Sequence, residues 1–157
     1  MTPAPHPVTH YNRPGKGVHF FNGIVAWLAD RGITLAGART LEVRGRKSGN
    51  LQRIPVNPLR IDNRTYLIGA RGDTQWSRNV RAAGSCTLRG GRKAVTYRVV
   101  EVATVDKPTV LRPYLKRWGW EVGALMPVRI TATSTDAELL SAGPAIPVFE
   151  LIVQPHT

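Results

Sequence analysis

One cysteine, four histidines and ten acidic residues are all that this 157-residue chain holds of the groups that most often carry chemistry unaided. A single cysteine, Cys86, excludes an internal disulfide, and it has no partner at metal-ligand spacing. It sits between Ser85 and Thr87 in an alternating segment, where a small buried residue is expected. The histidines (His6, His10, His19, His156) keep to the chain ends and form no HxH or HxxxH pair, so no metal site is expected. No Ser-His-Asp set can be assembled from them. No pair of carboxylates stands out, and Glu42 and Glu101, in alternating strands, are expected as surface partners of arginines. No apolar run reaches the ~18 residues of a membrane-spanning helix. The opening MTPAPHPVTHY lacks the apolar core of a secretion signal, so a cytoplasmic protein is expected. There is no internal repeat, no GxxxxGK[ST] and no GxGxxG.

What the chain has is positive charge: 22 Lys+Arg against 10 Asp+Glu, a formal net charge of +12. Such a field attracts phosphates, polycarboxylates, nucleic acid or anionic lipid without choosing among them. Hydrophobic content of 42% is ordinary and sufficient for one core. Residues 1–17, rich in Pro and Gly, are expected to form a flexible arm, and 18–157 a single domain.

The pattern along the chain is helix, then strands, then helices. Phe21, Ile24, Val25 and Leu28 make one apolar face of a helix over 18–30, ended by Gly32. Such a helix docks on the domain or, given the charge, lies against the inner face of a membrane as a peripheral contact. From residue 39 the period changes to two. Leu41 and Val43 alternate with Thr40, Glu42 and Arg44, and the turn GRKSGN (45–50) leads into a second strand from Gln52 to Ile61. Pro55 and Pro58 in that strand call for an edge or a bulge. Asp62-Asn63 turns the chain into a third strand, Thr65–Ala70. Asp73 or Thr74 can cap a short helix over 75–83 that Gly84 ends. Ser85–Arg89 and Lys93–Thr104 flank a Gly90-Gly91 hairpin. Asp106 can cap a helix over 107–118, in which Pro113 predicts a kink or an early break. Thr135 precedes a further short helix ending at Gly143, and Pro147–Val153 is the last strand. The sum is a mainly β (α+β) domain. Its six antiparallel strands should close as a barrel, with an N-terminal helix, a short crossover helix and C-terminal helices.

The cations concentrate between Arg44 and Arg81. Arg44, Arg46, Lys47 and Arg53 surround the first hairpin, and Arg71, Arg78 and Arg81 follow on the third strand's end and the short helix. If the strands carrying them are adjacent, Lys47, Arg53 and Arg71 can converge on one groove and hold phosphate or carboxylate. A solvated basic face is the plainer outcome of the same charges. Gly69-Ala70-Arg71-Gly72 places small residues where a strand stops, so a planar ring can approach the backbone. A protein short of acid–base groups and rich in anion binders suggests chemistry borrowed from a cofactor.

GRKSG at 45–49, PVNPL at 55–59, the strand into Ala70-Arg71-Gly72 and WSRNVRAAG at 76–84, in this order, resemble the deazaflavin-dependent nitroreductase family of split β-barrel oxidoreductases. The match is looser in RPYLKRWGWEVG and in the final PVFELIV. The resemblance implies a split β-barrel and the deazaflavin coenzyme F420, with flavin mononucleotide as the alternative. Lys47 and Arg53 would hold the cofactor's phosphate or tail carboxylates, helped by Arg46 and Ser48, with Arg71 near the phosphate. Pro55, Val56 and Asn57 would flank the ring, Ala70 and Gly72 would offer backbone to it, and Trp76 and Asn79 would pack beside it. Tyr114, Trp118 and Trp120 would face the substrate. The implied reaction is hydride transfer between the deazaflavin and a small planar apolar acceptor such as a quinone or nitro compound, by a monomer or homodimer.

Two other functions fit the sequence less well. A non-catalytic split-barrel protein would hold a cofactor or lipid as a store or carrier. A basic nucleic-acid-binding domain would use the same charge, but aromatics are scarce among the basic strands and no recognition motif appears, so nucleic acid is not the expected partner.

Overall fold

The computed structural model describes residues 38–155, the side chains of Trp120 and Glu121 excepted. The expected arm, the helix over 18–30 with its membrane contact, and all four histidines lie outside these residues. The described chain runs β1 (Arg39–Arg44), β2 (Leu51–Val56), β3 (Leu59–Ile61), β4 (Arg64–Ile68), α1 (Gln75–Ala83), β5 (Ser85–Gly90), β6 (Lys93–Glu101), α2 (Lys107–Val122), α3 (Asp136–Ala142) and β7 (Val148–Val153). Short 3₁₀ turns precede α2 and follow both α2 and α3.

The seven strands form one sheet in the order β2-β1-β5-β6-β7-β4-β3, and every neighbouring pair is antiparallel. The count is seven, not six, because the expected strand from Gln52 to Ile61 is two. Pro58, which has no N–H for a ladder, falls between β2 and β3. The two halves then go to opposite edges of the sheet. Only Asn57 and Pro58 join those edges, and three residue steps span at most about 11 Å. The sheet must therefore curl until its edges nearly meet, which makes a half-barrel rather than a closed one.

Register fixes what each face carries. Leu41 lies opposite Ile54 and Leu88, and Leu67 opposite Phe149. Leu41, Leu67, Leu88 and Phe149, with Val43, Cys86 and Leu151, form an inner core that takes Val80 of α1 and, at its margin, Trp76 and Val56. The outer face of β3, β4 and β7 supplies Leu59, Tyr66, Ile68 and Val148 to a second core. There they meet Val110, Leu111, Tyr114 and Leu115 of α2 and Leu139 of α3. The outer face of β2, β1 and β5 carries instead Thr40, Glu42 and Arg44, with Arg53 and Thr87 opposite Glu42.

Several local signals act as their chemistry requires. Asp62 and Asn63 both take positive φ, 49° and 67°, as a two-residue hairpin between twisted strands demands. Gly84 ends α1 in the left-handed region. Thr135 and Glu138 form a reciprocal capping box at the start of α3. Other expectations are met only in part. The strand begun at Lys93 stops at Glu101, short of Thr104. Pro113 lies inside α2, which continues to Val122 with no early break. Thr74 is the N-cap of α1, but its side chain makes no cap hydrogen bond, and Asp73 instead receives Ser77 Oγ at 2.8 Å. Among the described residues, no helix is long and apolar enough to cross a membrane.

Candidate functional site

The basic turn between β1 and β2 is built to hold its shape. Gly49 N–H donates to the Gly45 carbonyl at 2.8 Å and Gly45 N–H to that of Asn50 at 2.8 Å. Asn50 N–H donates to Ser48 Oγ at 3.1 Å, so that hydroxyl is part of the turn. A Cβ on Gly45 would come within 2.8 Å of the same oxygen, which is why that position is glycine.

α1 clips this turn in place. Asn79, 2% exposed, accepts with Oδ1 from the Arg46 backbone N–H at 3.1 Å and from Arg46 Nη1 at 2.9 Å. Its Nδ2 donates to Gln52 Oε1 at 3.1 Å, and Arg46 Nη1 also donates to Gln75 Oε1 at 2.8 Å. Both ends of the Asn79 amide are thus satisfied, as a buried amide requires. Arg46 and Asn79 therefore anchor the turn, while Lys47 at its tip is exposed and pairs with no carboxylate among the described residues.

β2 sorts the remaining expected residues by parity. Arg53 and Pro55 sit on the outer face, opposite Glu42 and Thr40, and Val56 on the inner face near Trp76. Because β2 is an edge strand, a ligand lying along it meets side chains of both faces. The strand's six residues span about 20 Å, from the basic turn to the Asn57-Pro58 corner. Carrying the β3–β4 register (Leu59 opposite Tyr66) two residues further puts Asn57 level with Ile68, just before the Gly69–Gly72 turn. In that turn Gly69 N–H donates to the Pro147 carbonyl and Gly72, at φ 92°, donates to the Gly69 carbonyl. Ala70 packs against the outer core and Arg71 is exposed. β2 and β4 are not paired, so the adjacency on which the convergence of Lys47, Arg53 and Arg71 was conditioned is not met by strand pairing.

Trp76 packs on Phe149, with ring centroids 6.1 Å apart. Beside it lies an ionic network. Arg81 makes two hydrogen bonds to Glu101, at 2.7 and 2.9 Å, a third to Asp73 at 3.2 Å, and stands over the Phe149 ring. The bond to Glu101 raises the Arg81 pKa, and the same bond lowers that of Glu101. Asp73 is held below its ordinary range, chiefly by the Ser77 hydroxyl and then, against burial, by Arg78 and Arg81. The acids on this side are consumed by their own arginines, which leaves the cations of the turn without a carboxylate partner among the described residues.

Tyr114 and Trp118 lie elsewhere. Tyr114 is 6% exposed in the outer core, its ring 5.3 Å from that of Trp118, over which Arg117 sits at 4.6 Å. They share no cluster with Trp76 or Val56, and the Trp120 side chain is outside the described atoms. Cys86 is 4% exposed and burial pushes its thiol up to about 12, the inert residue expected.

Sequence reasoning missed Arg89, Gln52 and Gln75, and also the burial of Glu42, whose pairing with arginine it expected. Glu42 was expected at the surface; it is 6% exposed and receives both Arg53 and Arg89. The Arg89 hydrogen bond lowers its pKa most, against burial, and Arg53 adds to the effect. The alternation of β1 was the available signal, since it put Glu42 among residues that pair across three strands.

No family model and no curated protein matches this chain. Solved structures share its fold. The F420-H2 dependent reductase FDR-A is 15% identical with a TM-score of 0.51, over 73% of this chain and 93% of that one. A structure described as a domain-swapped dimer is 16% identical with a TM-score of 0.51, over 88% and 98%. The heme storage protein HutZ of Vibrio cholerae is 9% identical with a TM-score of 0.53, over 86% and 90%. At these identities the likeness is one of fold: an antiparallel α+β half-barrel.

Proposed function

We propose that this chain binds a deazaflavin cofactor of the F420 type and passes hydride between it and a small planar apolar acceptor, a quinone or nitro compound. The observation that carries the proposal is the uncompensated basic turn at one end of an edge strand, with a small-residue turn level with the other end. This arrangement stands in a fold shared with an F420-H2 dependent reductase. The donor set fits such a ligand. Lys47 and Arg53 are exposed cations for its anionic part, and Arg71 supplies another. Pro55, Val56 and Asn57 flank the ring along β2, and the Ala70 and Gly72 backbone approaches it. Arg46, Ser48 and Asn79 act one step back, fixing the turn that presents Lys47.

The deazaflavin supplies a ring carbon that takes or gives hydride in two-electron steps. The chain's task is positional: to hold acceptor and ring at about 3–3.5 Å and exclude water. A domain-swapped dimer among the structures of this fold supports a homodimer as the working assembly.

Titration of deazaflavin cofactor followed by its fluorescence tests binding, and addition of a quinone to the reduced complex tests turnover. Lys47→Glu is expected to weaken binding at least tenfold, since one charge-assisted hydrogen bond contributes about 1.5–3 kcal/mol. Lys93→Glu, on the far hairpin, should change it less than about twofold. Equal losses would move the site elsewhere. A second reading, storage without turnover, is favoured by the likeness to a heme storage protein, and binding without quinone reduction would select it.

A further inference from the structure

The outer face of β2, β1 and β5 carries one arrangement that the cofactor reading does not use as a unit. Arg53 Nε donates to Glu42 Oε1 at 3.2 Å, and Arg89 Nε donates to the same oxygen at 2.8 Å. A shared acceptor atom keeps the two Nε atoms no farther apart than those two bonds laid end to end. The Nε–H and one Nη–H of a guanidinium point to the same side, so each arginine gives that side to Glu42 and keeps the edge between its two Nη groups for a ligand. The Arg53 and Arg89 side chains are 65% and 48% exposed, while the Glu42 side chain is 7% exposed. Ligands can reach the cations but hardly the anion that orients them. Among the described residues, neither arginine pairs with another carboxylate.

The surroundings are of one kind. Thr87 lies opposite Glu42, with its hydroxyl 3.0 Å from that of Thr96, and Thr40 lies opposite Arg89. Arg44 and Arg98 share the face, and two cations on one carboxylate leave the centre positive. A planar carboxylate is satisfied by a single guanidinium fork, whereas a tetrahedral phosphate has oxygens for two forks and for a neighbouring hydroxyl. We infer that Arg53 and Arg89, held by Glu42, form a clamp for a phosphate group, with Arg89 as an anion ligand and Glu42 as the positioning residue.

The clamp shares Arg53 with the deazaflavin reading; sodium pyrophosphate probes its phosphate chemistry without the ring, and the Arg89 and Arg98 variants separate it from the basic turn. Titration calorimetry of the full chain at low ionic strength should show saturable binding. Arg89→Gln should weaken it about tenfold, the loss of one charge-assisted contact. Arg98→Gln, the same charge change on the same face, should cost less than about twofold. Glu42→Gln separates a clamp from a diffuse basic surface, since it adds positive net charge yet replaces the two charge-assisted bonds that hold the forks with weaker neutral ones. A clamp predicts severalfold weaker binding, and a diffuse surface predicts tighter binding. Tighter binding by Glu42→Gln, equal losses for Arg89→Gln and Arg98→Gln, or triglutamate binding that Arg89→Gln weakens as much as it weakens pyrophosphate binding would each overturn the assignment. Unfolding midpoints check every variant. If Glu42→Gln does not fold, the Arg89 and Arg98 pair decides. Competition with the deazaflavin locates the source of the phosphate: displacement puts the clamp beneath the cofactor, and simultaneous binding makes it a separate subsite. Cofactor binding that survives while pyrophosphate binding is absent sinks the clamp and leaves the cofactor reading standing.

Discussion

The half-barrel is covered on its two sides by different means. On the inner side α1 is short and contributes one deeply buried aliphatic residue, Val80; what fixes it is polar. Asn79 clips the basic turn, Ser77 is tied to Asp73, and Arg81 bridges to Glu101. On the outer side α2 and α3 bury Val110, Leu111, Leu115 and Leu139 against Tyr66 and Ile68. Lys107, a buried charge at the start of α2, is spent on the carbonyls of Gly143 and Ile146. Apolar packing tolerates small shifts and carries most of the stability, whereas directional hydrogen bonds hold atoms to position. The side that carries the exposed Lys47 turn is the side built from directional bonds.

The largest expected effect breaks stability and leaves the site alone. Leu111 is fully buried, and Leu111→Ala should cost about 2–5 kcal/mol in urea unfolding, from lost burial and the cavity left behind. Deazaflavin affinity of the folded fraction should stay within about twofold. Native Cys86 gives an independent readout: it should resist thiol reagents until the chain unfolds and should label faster in Leu111→Ala. Asn79→Ala should show the reverse balance. It strands the Gln52 amide and removes two acceptor contacts of Arg46, so it should cost about 1–3 kcal/mol. Cofactor affinity should fall about tenfold, although Asn79 lies one step back from the ligand. A loss of stability with unchanged affinity would mean that the clip does not position the turn.

The two sides also differ in how far they could be read from the chain alone. Strand alternation, the Asp62-Asn63 turn, the Gly84 cap and the Thr135 box are local signals whose outcome depends on neighbours in sequence, and all appear in the fold. Where the outcome depended on partners far along the chain, the reading failed. Nothing local says that Pro58 sends β2 and β3 to opposite edges, because that is decided by pairing with β1 and β4. Nothing local says that the two arginines of Glu42 come 11 and 47 residues later. Pro113 is the converse case: its propensity opposes a helix interior, yet Val110, Leu111, Tyr114 and Leu115 all bury against the sheet and hold α2 through it. In the candidate site, the residue types of the turn and of α1 were legible. The division of labour between Lys47, which is exposed, and Arg46 and Asn79, which anchor it, was not.

The smallest effect sharpens the comparison on the polar side by pH. Asp73 accepts from Ser77, Arg78 and Arg81, and its pKa in the folded chain is lowered, first by Ser77. A lowered folded-state pKa means that the unfolded chain binds the proton more tightly. The stability Asp73 contributes is therefore complete above its ordinary value of about 4 and is lost as pH falls through the lower folded value. The side chain is 46% exposed, so solvent screening limits the contribution to about 1 kcal/mol or less. Asp73→Asn should lower the urea midpoint slightly at pH 7, and the gap to the native sequence should close as pH falls below about 4. The outer side, held by apolar contacts, gives Leu111→Ala no such convergence beyond the general acid destabilisation of both chains. A gap for Asp73→Asn that stays constant from pH 7 down to pH 2 would mean that the carboxylate's charge is not what ties α1 to its loop.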